Sequence, residues 1–91
     1  MTATVDFVVA ERKKELERHR VVVGDTVEPA AADDTPAEVV LTLTPADAAA
    51  LRAGELRPSV AFMRGTMKMA GDFGVLLHVL PVLERAATPL I

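Results

Sequence analysis

Apolar and polar positions alternate along the first half of the chain with the two-residue period of a β-strand. Val5, Phe7 and Val9 fall on one face of a first strand, while Asp6 and Val8 fall on the other. The charged run 11–18 has almost no apolar face to bury, so we interpret it as a solvated hairpin connection rather than a helix. The full pattern predicts five strands, near residues 4–10, 18–24, 26–31, 38–43 and 66–70.

The pattern becomes helical after residue 44. Thr44 can cap a helix whose first position is Pro45, and Gly54 is well placed to end it. A second short segment stops at Gly65, and Asp72 can cap a third. We predict helices near 45–53, 58–64 and 72–84. Together the elements predict an α+β fold in which an antiparallel-rich sheet of about five strands packs against short helices, as a single domain over residues 1–91.

The last predicted helix is apolar on two sides. One stripe at helical spacing consists of Phe73, Leu76, Leu77 and Leu80, and much of the other side consists of Val75, Val79 and Val82. Such a helix needs two apolar environments, for example a sheet on one side and a ligand or a subunit on the other. His78 lies within it, either as a boundary or interior side chain with one satisfied nitrogen, or as a contact to a ligand headgroup.

Composition narrows the classes of function. The chain has 91 residues, 51% of them hydrophobic, with a net charge of −3, no Cys and two His. This composition argues against disorder, a disulfide framework, a metal site and a nucleic-acid partner. Ser59 is the one serine and fits a helix start better than a nucleophile, so we predict no enzyme activity and no cofactor. No targeting segment is evident and the longest apolar stretch is too short to cross a bilayer, which predicts a cytoplasmic location without stable membrane insertion.

Three methionines lie close together at positions 63, 67 and 69, between Phe62 and Phe73. Methionine is a common core filler, and it also forms adaptable walls around flexible apolar ligands. The residues alone leave both interpretations open.

Three segments, which follow one another along the chain in the same order as in a known family, carry a resemblance. They are Leu41–Thr44, Ala50–Leu56 and the run Ala-Phe-Met-Arg-Gly-Thr-Met-Lys-Met-Ala-Gly-Asp-Phe-Gly of residues 61–74. With the apolar helix that follows, the region from Val39 to Leu83 resembles the C-terminal half of the sterol carrier protein type-two domain. Members of that family usually begin with a helix before the first strand. A first strand near residue 4 leads us to expect a short version without this helix.

The resemblance implies non-covalent binding or transfer of a hydrophobic ligand, such as a sterol, fatty acid or acyl-CoA, in a tunnel between sheet and helices. The wall residues it implies are Phe62, Met63, Met67, Met69, Phe73, Leu76, Leu77 and Leu80. His78 or Arg64 is the candidate contact to a polar headgroup. Two alternatives stay open: a protein-interaction or homodimerisation module, and an accessory domain that presents a hydrophobic substrate to a separate enzyme.

Overall fold

A five-stranded mixed sheet carries three helices in the computed structural model, which describes residues 2–86. The strands are β1 (Ala3–Glu11), β2 (Lys14–Val23), β3 (Val27–Ala30), β4 (Val39–Leu43) and β5 (Lys68–Gly71), and the helices are α1 (Pro45–Arg52), α2 (Pro58–Met63) and α3 (Phe73–Arg85). The strand order is β3-β2-β1-β4-β5. Only β1 and β4 pair in parallel, and the other three pairs are antiparallel. The predicted antiparallel-rich α+β fold is confirmed.

The second strand begins earlier than the sequence predicts. A two-residue turn at Arg12 and Lys13, both with positive φ, joins β1 directly to β2. The interpretation of residues 11–18 as a hairpin connection rather than a helix is correct. Most of these charged residues belong to the strands themselves, so β2 starts at Lys14 rather than near residue 18. This end of the hairpin extends beyond the core, where both faces of the ribbon meet water. A hydrophobic alternation is therefore not needed there, and the sequence shows none.

The core lies between the sheet and the helices. In β1, Val5, Phe7 and Val9 are buried and pair in register with three buried side chains of β4, namely Val39, Leu41 and Leu43. The helices cover this face with Ala48 and Leu51 of α1, Ala61 of α2, and Leu76, Val79 and Leu83 of α3. All these strand positions share one face because side chains alternate with a period of two.

The opposite face of the sheet contains a buried ion pair. Asp6 is fully buried, and its carboxylate accepts hydrogen bonds from Arg20 on β2 at 2.7 Å and 3.1 Å and from Arg18 at 2.6 Å. Arg20 also donates to the Asp33 carboxylate and to the Thr35 carbonyl in the loop between β3 and β4. This loop therefore packs against the sheet, and Asp33 is part of an ionic network.

Helix boundaries follow the predicted caps. The Thr44 hydroxyl accepts from the Asp47 backbone N–H at 3.2 Å, and the Asp72 carboxylate accepts from that of Val75 at 3.1 Å. Pro81 does not end α3, which continues to Arg85. It has no N–H to donate to the carbonyl of Leu77, so this carbonyl loses its helical partner.

Candidate functional site

Helices α2 and α3 pack side by side and are joined at one end by a carboxylate. Glu84 of α3 accepts a hydrogen bond from the backbone N–H of Ser59 at 2.5 Å and another from Arg57 Nε at 3.0 Å. Burial acts to raise the pKa of the Glu84 carboxyl, but the hydrogen bonds from Ser59 and Arg57 outweigh it and lower that pKa. Arg57, the N-cap residue of α2, makes no side-chain hydrogen bond to the first turn of this helix. Glu84 of the neighbouring α3 caps α2 instead.

The other end of this helix pair is aromatic and open to solvent. The rings of Phe62 and Phe73 lie 6.3 Å apart, centroid to centroid, at 38°. The two helices also carry four exposed large apolar side chains, Val60 and Met63 on α2 and Phe73 and Leu77 on α3, which we call the α2–α3 apolar surface. Its members are 40%, 82%, 51% and 54% exposed, respectively. Val60 and Met63 are three positions apart on α2, and Phe73 and Leu77 are four apart on α3, so each pair lies on one helix face.

The eight predicted wall residues fall into three groups. Met67 and Leu76 are buried in the core. Phe62, Met69 and Leu80 are partly buried and pack against the core. Met63, Phe73 and Leu77 are exposed. The structure brings Phe62 and Phe73 into contact, and the role of all eight residues in ligand binding stays a prediction.

The buried stripe of α3 differs from the predicted one. Its core residues are Leu76, Val79 and Leu83, so the sheet-facing stripe combines positions that the sequence assigns to two different sides. Phe73 and Leu77 lie to one flank of this stripe, toward α2. The exposure of this flank is consistent with the expectation that α3 contacts a second apolar environment in addition to the sheet.

A cavity of about 300 Å³ lies at the other flank of α3, against the start of β1 and the end of β2. It is lined by Ala3, Val23, Gly24, Asp25, His78, Val79, Val82 and Arg85. His78 is exposed at its rim, so the interpretation of this residue as an interior side chain is wrong. None of the eight predicted wall residues lines it. The spacing of His78, Val82 and Arg85, at i, i+4 and i+7, is the sequence pattern that could have indicated this shared flank.

Residues 2–86 contain neither a candidate metal site nor a candidate membrane-spanning helix. These residues contain no group of three or more acidic or histidine side chains that could bind a metal ion. No helix among them is both long and apolar enough to cross a bilayer.

The family follows from a comparison with known proteins. The model of the SCP-2 sterol transfer family matches residues 3–84. The chain belongs to this family. No curated protein matches the sequence. Membership in the SCP-2 family accounts for the order of strands and helices described above and confirms the resemblance noted in the sequence.

Solved structures share the SCP-2 fold at low sequence identity. The sterol carrier protein domain 2 of Helicoverpa armigera has a TM-score of 0.60 and 20% identity, over 93% of this chain and 68% of that one. The palmitated SCP2L2 of Aedes aegypti has a TM-score of 0.60 and 13% identity, over 94% and 76%. The sec-alkylsulfatase Pisa1 of a Pseudomonas species has a TM-score of 0.53 and 21% identity, over 94% of this chain but 13% of the enzyme.

Proposed function

We propose that this domain binds a hydrophobic ligand non-covalently, as a carrier and without catalysis or cofactor. The ligand class is a sterol, a fatty acid or an acyl-CoA. Membership in the sterol transfer family supports the class, and the palmitated state of the Aedes relative supports a fatty acid within it. The cytoplasmic location that the sequence predicts is part of the proposal.

The exposed flank of α3 is the observation that carries the proposal. Phe73 and Leu77, about one helical turn apart on α3, are each about half exposed, and neighbouring exposed apolar side chains of this size are typical of surfaces that bind a ligand or a partner. Each buried square ångström of apolar surface contributes roughly 25 cal/mol, before the cost of binding is subtracted. A ligand that covers both side chains therefore gains a substantial hydrophobic free energy.

The proposed binding site extends inward from this flank. In this proposal the exposed Met63, Phe73 and Leu77 are assigned to its mouth, and the partly buried Phe62, Met69 and Leu80 to its wall. The buried Met67 and Leu76 are assigned to its floor. Methionine side chains can adopt new rotamers around ligands of different shape, which suits a flexible acyl chain. Arg64, which is exposed directly after α2, is the candidate for contact with a polar headgroup, whereas His78 lies on the opposite flank of α3.

The test is to identify what the purified protein carries. Native mass spectrometry and lipid analysis of a solvent extract should reveal a bound lipid at near one molecule per chain. The delipidated protein should then take up a fluorescent fatty acid that palmitate displaces. The absence of a lipid in the extract together with no saturable uptake would contradict the proposal.

A second candidate is an accessory domain beside a catalyst. The chain aligns with only 13% of an alkylsulfatase, so the fold occurs there as a small part of an enzyme. In that case the domain presents a hydrophobic substrate to a separate enzyme, and the ligand site is the same. Homodimerisation through the α2–α3 apolar surface is the remaining alternative. A dimer would have twice the monomer mass in light scattering at micromolar concentration, which distinguishes it from a monomeric carrier.

A further inference from the structure

Methionine is the side chain of this sequence that a hydroperoxide oxidises first. The chain contains four methionines and no Cys, Trp or Tyr. Where no thiol competes, the exposure of each thioether decides how readily it is converted to the sulfoxide. Three of the methionines, Met63, Met67 and Met69, lie close together in the described part of the chain. Their exposure therefore determines where oxidation begins among them.

The structure separates these three methionines by exposure. Met63 is 82% exposed, the highest value among the large apolar side chains of residues 2–86. Met67 is 1% exposed and belongs to the core, and Met69 is partly buried against the core. A hydroperoxide in solvent reaches Met63 in the folded protein, whereas it reaches Met67 only after local opening of the structure.

The fold can accommodate a polar group at position 63. Met63 is the last residue of α2 and is not part of the core cluster. The helix is held elsewhere, by the fully buried Ala61 and by Glu84, which accepts the Ser59 backbone N–H. A sulfoxide at Met63 stays in water, whereas one at Met67 would bury a polar group in the core at a large cost in stability.

The position of Met63 connects its oxidation state to the proposed ligand site. Its chain neighbour Phe62 contacts Phe73 of α3, with ring centroids 6.3 Å apart, so Met63 lies at the aromatic end of the helix pair. The proposed function assigns it to the mouth, and this part of the inference rests on that function. A ligand that covers the thioether gains apolar contact, but one that covers a sulfoxide has to strip water from a polar S–O group.

We propose that Met63 is the preferred site of oxidation by hydroperoxides, and that its sulfoxide weakens ligand binding. The thioether sulfur attacks one peroxide oxygen, so that an S–O bond forms and the O–O bond breaks. The sulfur gives two electrons to the peroxide, and the proton of the transferred oxygen passes to the leaving oxygen, which departs as water or an alcohol. A methionine sulfoxide reductase reverses the change. The modification therefore makes the affinity for ligand dependent on the oxidation state of one side chain.

Peptide mass spectrometry of the delipidated full chain tests the site of modification. During limited treatment with hydrogen peroxide, Met63 should gain one oxygen about tenfold faster than Met67, with Met69 between them. The singly oxidised protein should keep the circular dichroism spectrum and the urea midpoint of the untreated protein. Oxidation of Met67 as fast as Met63, or unfolding of the singly oxidised protein, would overturn the proposal.

A titration with a fluorescent fatty acid, after removal of the peroxide, tests the effect on binding. Oxidation of Met63 should raise the dissociation constant about tenfold, and treatment with the reductase should restore it. Met63→Gln, which places a polar amide at this position, should weaken binding without peroxide. Leu16→Gln makes a comparable change at a 48% exposed position of the β1–β2 hairpin and should have no effect.

Met63→Leu is the second control, because it keeps an apolar side chain of similar size. This variant should bind the fatty acid like the wild type and should lose its sensitivity to peroxide. It retains the other three methionines, so any effect of their oxidation would persist in it.

The two proposals fail in different ways. If the protein with its sulfoxide at Met63 binds the fatty acid as tightly as the reduced protein, or if peroxide weakens Met63→Leu as much as the wild type, the inference is wrong and ligand binding stands. If neither form takes up fatty acid, the proposed function is wrong and the effect on binding is overturned with it. A sulfoxide that forms first at Met63 would then still support the site of modification.

Discussion

The carboxylate of Asp6 and the guanidinium of Arg20 face each other across β1 and β2, with Oδ1 to Nε at 2.7 Å and Oδ2 to the second nitrogen at 3.1 Å. Asp6 is fully buried and the Arg20 side chain is 7% exposed. The pair occupies the sheet face opposite to the one that α1, α2 and α3 cover. Its remaining donors bind the loop at Asp33 and Thr35. An ionic network therefore attaches the loop between β3 and β4 to this face of the sheet.

Removal of the Asp6 charge should destabilise the fold. Asp6→Asn leaves the buried Arg20 guanidinium with only the exposed Asp33 carboxylate as a partner, and breaking a buried pair in this way costs about 3 kcal/mol or more. Urea denaturation should show this loss in the free energy of unfolding. Asp34→Asn, at an exposed neighbour of the network, should change it by less than about 0.5 kcal/mol. Equal effects of the two substitutions would contradict the structural role of the pair.

Acid should weaken the protein through the same residue. The hydrogen bond from Arg20 lowers the pKa of Asp6 below its ordinary value of 3.8, against the opposing effect of burial. The unfolded chain therefore binds the proton more readily than the folded one. The stabilisation is fully present above about pH 5 and is lost as the pH falls through the lowered pKa. Urea curves between pH 6 and pH 3 should show a steeper loss for the wild type than for Asp6→Asn, and parallel losses would refute this assignment.

Gly71 should tolerate no side chain. Its φ is +102°, and a Cβ there would lie 2.3 Å from the carbonyl oxygen of Glu38, which also accepts the Asp72 backbone N–H. Gly71→Ala should cost about 2–3 kcal/mol, since strain and a backbone clash add. Gly54→Ala is the control, because Gly54 has φ +74° but open space around it, and should cost only about 1 kcal/mol. Thermal or urea unfolding that ranks the two in the reverse order would contradict this reasoning.

Glu84 should control the attachment of α2 to α3. Glu84→Ala removes the acceptor of the Ser59 N–H, and we expect a loss of about 1.5 kcal/mol, typical of a hydrogen bond to a charged group. Hydrogen exchange of the Ser59 amide should accelerate more than that of the β1 amides. Glu55→Ala, at an exposed position before α2, serves as the control. Unchanged Ser59 exchange in Glu84→Ala would show that the carboxylate does not anchor the helix.

The strands and helices could be predicted from the sequence where a short-range pattern of residues determines them. The alternation of Val5, Phe7 and Val9 and the caps at Thr44 and Asp72 are local, and the structure confirms them. The pairing of Asp6 with Arg20 depends on strand register, which no local pattern contains, so the network was missed.

The candidate site was less predictable because helix rotation decides it. The sequence shows that α3 is apolar on two sides, but packing determines which stripe faces the sheet. That stripe is Leu76, Val79 and Leu83. The exposure of Phe73 and Leu77 is a consequence of this rotation, and so is the position of His78 at a cavity on the opposite flank.

The exposed flank of α3 should set the ligand affinity. Leu77→Ser and Phe73→Ser remove apolar surface from the proposed mouth and should each raise the dissociation constant about tenfold, with little change in stability because both side chains are half exposed. Leu16→Ser, an equally exposed position on the hairpin, should leave the affinity unchanged.

Ligand binding at the exposed flank of α3 is tested most directly by a titration of the delipidated protein with a fluorescent fatty acid in vesicle-free buffer, with palmitate as competitor. We expect saturable binding near one molecule per chain, displaced by palmitate and weakened by Leu77→Ser but not by Leu16→Ser. Uptake that does not saturate, or that Leu16→Ser weakens as much as Leu77→Ser, would contradict it.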